Sequence, residues 1–145
     1  MAAFALDSSS MIAAVCSWHD DHQRTLDAIS ARLDRGDRIA VAGHALAETY
    51  VVLTRLPAPH RLAPADAWAL IKANFVEPAS VTTLNGAGYV AVVERMATEG
   101  AAGIAAFDLV VALCAAQAGA DTLITLNPHQ FDLAPPGVAI VDPSR

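Results

Sequence analysis

Apolar residues follow two patterns along this chain: short unbroken runs, and longer stretches where they recur every three or four positions. The mainly apolar runs are Ala2–Leu6, Arg38–Ala42, a stretch within Val76–Thr83 entered at Pro78, Asp121–Thr125 and Gly137–Val141. Runs this short, apolar without alternation, read as strands buried on both faces. The recurring pattern predicts helices from Ser8 through Val15, from Gln23 to Arg35, from just after Gly43 and His44 to Leu56, from Pro64 to about Phe75, from about Ala87 to Glu99, and from Asp108 to about Ala118. Ser8, Ser9 and Ser10 offer N-cap hydroxyls to the first helix. Pro64 suits the N1 position of the fourth, and Gly36 and Gly119 close the second and sixth. Trp18–His22 is a polar break, and Asn127–Phe131 reads as a loop or a single helical turn. Strands that alternate with helices predict an α/β fold with a short, mostly parallel sheet of about five strands, covered on both faces.

Composition narrows this picture. The 145 residues show no repeat or linker and fit a single domain over residues 1–145 with a sizeable core. Hydrophobic residues make up 54%, much of it Ala, which favours closely packed helices. No apolar run reaches the roughly 20 residues that would span a bilayer, and the first residues carry no positive n-region, so a cytoplasmic location is expected. Cys16 and Cys114 lack any CxxC context and read as small core residues. The net charge of −6 argues against a generic basic nucleic-acid binder, though not against an enzyme that meets a phosphodiester through a metal.

Candidate chemistry lies in three carboxylates set in apolar surroundings. Asp7 ends Phe4-Ala5-Leu6-Asp7, Glu48 lies within Ala45-Leu46-Ala47-Glu48-Thr49-Tyr50-Val51, and Asp108 lies within Ala105-Ala106-Phe107-Asp108-Leu109-Val110. A buried carboxylate is costly unless it is paired or holds a metal. Cationic side chains are scarce here, so an acidic pocket filled by a divalent cation accounts for all three. In a parallel sheet, ligands gather outside the carboxyl ends of the strands. Asp7, Glu48 and Asn127 all fall there, and Asp108 joins them if its helix begins near the same edge. Local readings stand beside this one: Asp7 and Asp108 as helix N-caps, and Glu48 paired with Arg55 two turns on.

Taken in order, four segments resemble the PIN-domain ribonucleases, and within them the VapC toxins of bacterial toxin–antitoxin pairs. They are the apolar strand ending Asp7-Ser8-Ser9, Glu48 in an apolar helix, Phe107-Asp108-Leu109-Val110-Val111-Ala112, and Leu123-Ile124-Thr125-Leu126-Asn127-Pro128-His129-Gln130-Phe131. The likeness spans nearly the whole chain. It implies a three-layer α/β/α fold and Mg²⁺-dependent hydrolysis of RNA phosphodiesters with a 5′-phosphate on the product; Mn²⁺ is the alternative cation. By the same resemblance Asp7, Glu48 and Asp108 are catalytic, and Asp7, Asp108, Glu48 and Asn127 hold the metal. Glu48 also orients the attacking water, and a hydroxyl from Ser8, Ser9 or Thr125 supports the shell. The departure is Asn127, where many members carry Asp. A neutral ligand favours one well-held Mg²⁺ over a stable pair. Implied partners are the RNA substrate, a second copy of the chain and a cognate antitoxin. An antitoxin segment would lie over an apolar groove offered by helices such as Asp66–Phe75, its Arg reaching the acidic cluster.

The other chemistry-bearing residues have simpler readings. His19, Asp20, Asp21 and His22 suit a solvated helix start. His44 and His60 read as loop or cap residues, and His129 as a surface residue near Asn127. Arg24, Arg32, Arg35 and Arg38 form either a phosphate-binding patch or a solvated helix face. Trp18 and Trp68 read as core or interface anchors. Asp121 and Asp132 match no motif position. GxGxxG, P-loop and GxSxG motifs are absent, which weakens dinucleotide, NTPase and hydrolase readings. The alternative to a nuclease is a non-catalytic PIN-like module that binds RNA or protein, which the neutral Asn127 favours.

Overall fold

The computed structural model describes residues 2–145. Among the described residues there are five strands: β1 (Ala3–Leu6), β2 (Arg38–Ala42), β3 (Ala79–Thr82), β4 (Ala120–Ile124) and β5 (Ala139–Val141). They form one sheet in the order β3-β2-β1-β4-β5, and every neighbouring pair is parallel. Six α-helices complete the fold among the described residues: α1 (Ser8–Val15), α2 (His22–Asp34), α3 (Gly43–Arg55), α4 (Pro64–Ile71), α5 (Gly86–Thr98) and α6 (Ala105–Gln117).

The strand order determines where a ligand belongs. From β1 the chain steps outward through β2 to β3, then crosses back to β4 on the other side of β1. Right-handed crossovers then place α1 to α4 on one face and α5 and α6 on the other. The direction of winding reverses between β1 and β4, and the crevice outside their carboxyl ends is the natural ligand position. Asp7 and Thr125 are the first residues beyond those two strand ends.

The central strands earn their place by burial on both faces. Phe4, Leu6, Val41 and Leu123 are fully enclosed, with Met11 from α1 and Val110, Val111 and Cys114 from α6 packed around them. A smaller cluster of Cys16, Leu53, Ala67 and Ile71 fastens α4 to α3 and to the end of α1. Both cysteines are buried and free. No helix among the described residues is long and apolar enough to cross a membrane.

Several local expectations change. The cap of α1 is not a serine hydroxyl: Asp7 is the N-cap, and its carboxylate accepts from Ser10 N. No turn separates β2 from α3, because the helix begins at Gly43 itself. The helix from Pro64 ends at Ile71 and continues as one π-helical turn, Lys72–Val76. Helix α6 starts at Ala105 behind Ile104, so Asp108 lies within its first turn and is not its cap. Trp18 and Trp68 are not core anchors: they are 43% and 51% exposed, and Trp18 stacks on His60 with ring centroids 4.2 Å apart.

Three of the four arginines, Arg24, Arg32 and Arg35, are engaged within the fold. Arg32 pairs with Asp37 and, at 2.8 Å, with Asp121, while its guanidinium lies over the Phe4 ring at 5.0 Å. Arg35 also reaches Asp37, and Arg24 donates to the Ser144 carbonyl. Asp121 is thereby engaged at the amino edge of the sheet, the edge opposite Asp7.

Leu123, the penultimate residue of β4, is fully buried. We expect Leu123→Ala to cost about 2–5 kcal/mol of stability. A denaturant melt should show this as a lower midpoint with an unchanged slope.

Candidate active site

At the junction of β1 and α1 the chain buries a carboxylate. Asp7 is 6% exposed. Four hydrogen bonds converge on it: Ser9 Oγ and Ser10 N donate to Oδ1 at 2.7 and 2.9 Å, Ser10 Oγ to Oδ1 at 3.1 Å, and Thr125 Oγ1 to Oδ2 at 2.6 Å. The hydroxyls also accept from the neighbouring loop: Leu126 N donates to Ser9 Oγ and Asn127 N to Thr125 Oγ1, each at 3.0 Å. Ser10 Oγ reaches the Ile124 carbonyl at 2.8 Å as well. Asp7 therefore both caps a helix and ties β1 to the segment that leaves β4. Burial raises its pKa, against the lowering effect of bonds from Thr125, Ser10 and Ser9.

Glu48 and Asp108 approach from opposite faces of the sheet. Glu48 is on the second turn of α3, half-buried, with its Oε1 3.0 Å from His44 Nε2. That contact becomes an ion pair when the imidazole is protonated. Arg55 is not its partner. Burial raises the Glu48 pKa; His44 opposes this and the Asp7 charge reinforces it. Asp108 is pushed up to about 6, first by burial and then by the charges of Glu48 and Asp7. The three carboxylates are thus electrostatically linked although they come from three elements.

Asp7, Ser8, Glu48, Asp108 and Asn127 line one cavity of about 300 Å³, with His44 and Phe107 on its wall. Ser9 and Thr125 do not line it and instead hold Asp7. His44 and Phe107 went unrecognised in the sequence. One signal was available, since His44 stands four residues before Glu48 and such positions meet on a helix. The Phe107 ring stacks on His44 with centroids 4.6 Å apart. Asp132 lies outside this cavity, on the wall of an adjoining one. His19 and His22 are used locally, by Asp21 N and by the Ala13 carbonyl.

Among the described residues no three His, Cys, Asp or Glu side chains form a ready-made metal ligand set. The chemistry of the cavity nonetheless suits a hard cation. Its donors are oxygens, which Mg²⁺ and Mn²⁺ prefer, and a divalent charge would relieve the repulsion from Glu48 and Asp7 that adds to the effect of burial on Asp108.

The PIN domain sequence profile matches residues 4–134. The chain belongs to the PIN domain family. Ribonuclease VapC40 of Mycobacterium tuberculosis is 34% identical to this PIN domain over 119 residues, 82% of this chain and 83% of that protein. Two solved structures share the fold. DNA-bound VapBC from Salmonella typhimurium superposes with a TM-score of 0.68 at 20% identity, covering 99% of each chain. VapC20 of M. tuberculosis, described as a sarcin–ricin loop cleaving toxin, gives 0.64 at 13% identity over 83% of this chain and 86% of its own.

The raised carboxylates of this PIN domain predict its pH behaviour. A carboxyl whose pKa rises on folding binds more protons in the folded state, so stability falls as pH rises through the interval. For Asp108 that interval runs from 3.8 to about 6. Asp37, Asp121 and Asp142 have lowered values, and their contribution is lost only in more acidic solution. Thermal melts of metal-free protein should therefore show a midpoint that declines between about pH 4.5 and 6.5. Asp108→Asn should flatten the decline; an unchanged slope in that variant would place its origin elsewhere.

Proposed function

We propose that this chain is a divalent-cation-dependent endoribonuclease of the VapC kind, acting in the cytoplasm as the toxin of a toxin–antitoxin pair. The observation that carries the reading is the meeting of Asp7, Glu48, Asp108 and Asn127, from four separate segments, in one cavity at the β1/β4 crevice of a PIN fold. The similarity to ribonuclease VapC40 supports RNA as substrate. The fold shared with structures described as VapBC supports an antitoxin partner.

In this reading Asp7, Glu48, Asp108 and Asn127 would hold the cation, Mg²⁺ or Mn²⁺. When bound, the cation supplies charge neutralisation at the phosphodiester and activation of the attacking water. The protein's own contribution is placement. Ser9, Ser10 and Thr125 hold the Asp7 carboxylate still. Glu48, steadied by His44, orients the attacking water. Ser8 and Asn127 offer uncharged polar groups beside the phosphate. Water adds to phosphorus and the P–O3′ bond breaks, so the leaving fragment ends in a 3′-hydroxyl and the other fragment carries the 5′-phosphate. The functional unit is a single domain over residues 1–145, paired with a second copy. An antitoxin segment lies along the apolar surface near α4.

A second reading, a non-catalytic module that binds RNA or protein, is favoured by two features: the absence of a ready-made ligand set among the described residues and the neutral Asn127. Purified protein separates the two. With Mg²⁺ it should cleave a structured RNA, and EDTA should stop it. Asp7→Asn and Asp108→Asn should each reduce the rate on the order of 10²-fold or more. Full activity in both variants would remove these residues from the mechanism.

Asn127→Asp adds a fourth charge to the cavity. Calorimetry should find Mg²⁺ bound on the order of tenfold more tightly by this variant. Unaltered affinity would show that residue 127 does not reach the cation.

A further inference from the structure

We propose that the Phe107 ring, backed by His44, is the platform on which an unpaired RNA base stacks beside the scissile phosphate. The inference rests on the ribonuclease reading and names how that site grips its substrate.

Phe107 is unusual within its own helix. Its neighbours Leu109, Val110 and Val111 are buried, yet Phe107 is 47% exposed, and Ile104 one turn before it is 70% exposed. The exposed ring is held in place. It stacks on His44 at 4.6 Å with an interplanar angle of 29°, and His44 Nε2 lies 3.0 Å from Glu48 Oε1. Phe107 and His44 line the same cavity as the three carboxylates, and Phe107 directly precedes Asp108. A phosphate at the carboxylates would place its own or the adjacent base within reach of this ring.

Electrostatics makes such a platform necessary. The chain carries a net charge of −6, three of its carboxylates line this cavity, and no Lys or Arg lines it. Phosphate contacts from cations, the usual source of affinity for nucleic acid, are therefore few. Stacking on an aromatic ring holds single-stranded nucleic acid without needing positive charge and tolerates any base. A base needs only an open ring face, and a pre-stacked ring loses little freedom when one arrives.

The test uses the full chain, Mg²⁺ and a single-stranded RNA that the wild type cuts, with 2-aminopurine placed on either side of the cleaved bond. Stopped-flow fluorescence should show quenching before cleavage in the wild type and in Phe107→Tyr. Phe107→Ala should lose the quench and raise KM roughly tenfold, with kcat changed far less and Mg²⁺ affinity by calorimetry unchanged. A Phe107→Ala protein with normal KM and full quenching would assign this face to a protein contact and overturn the proposal. A fall in kcat alone would make Phe107 a support for Asp108 and overturn it as well. Failure of the wild type to cleave any RNA would sink the ribonuclease reading and this inference together; cleavage by a wild type that Phe107→Ala matches sinks only the inference.

Discussion

The structure turns on one buried carboxylate. Asp7 is nearly sealed from water where β1, α1 and the segment leaving β4 meet. Left without partners, it would cost several kcal/mol. Four hydrogen bonds offset that cost, and three of them come from hydroxyls whose positions are set by backbone on both sides of the winding reversal. Ser9 and Thr125 each donate to Asp7 and accept from the backbone N–H of the 126–127 loop. The carboxylate thereby positions the loop that carries Asn127. Capping, loop placement and the acidic pocket are consequences of the same group.

The two edges of the sheet treat charge in opposite ways. At the amino edge, Arg32 lies between Asp37 and Asp121, and both carboxyls are held below the usual range, with Arg32 the main cause for Asp37. At the carboxyl edge, Asp7, Glu48 and Asp108 face one another, and all three are raised by burial. His44 is the side chain that can lend positive charge there. A stable protein gains nothing from the second arrangement. Carboxylates that are buried, mutually repelling and short of cations mark a place where something charged is meant to arrive.

The central strands β1, β2 and β4 were legible because burial on both faces leaves an unbroken apolar run instead of an alternation, whereas β3 and β5 lie at the sheet edges with residues open to solvent. Strand ends shifted by a residue or two, as at β4, where Ala120 enters the ladder and Thr125 leaves it to bond Asp7. Helix starts were read less well. The N-caps Ala42 and Ile104 carry no capping side chain, so nothing in their chemistry announced that α3 begins at once or that α6 begins ahead of Asp108. For Trp18 and Trp68, read as core or interface anchors, exposure removes the core half of that reading: size and apolarity favour burial on average, but exposure depends on which face of the fold a residue meets. His44 and Phe107 were passed over for a related reason: their importance comes from contact across elements 63 residues apart, which no local spacing encodes.

The amino-acid sequence by itself determined the alternation of strand and helix, the parallel sheet, and the presence of Asp7, Glu48 and Asp108 within predominantly apolar segments. Periodicity and the cost of burying charge act locally, so a linear reading reaches them. Tertiary structure alone decided which of those carboxylates share a cavity, that Asp7 is satisfied by hydroxyls from both ends of the chain, and that Phe107 faces outward against His44. These are outcomes of strand order, which places β4 beside β1 after more than a hundred residues of intervening chain. Strand order follows from how the whole set of apolar faces is covered, a property of the packed fold and of no single segment.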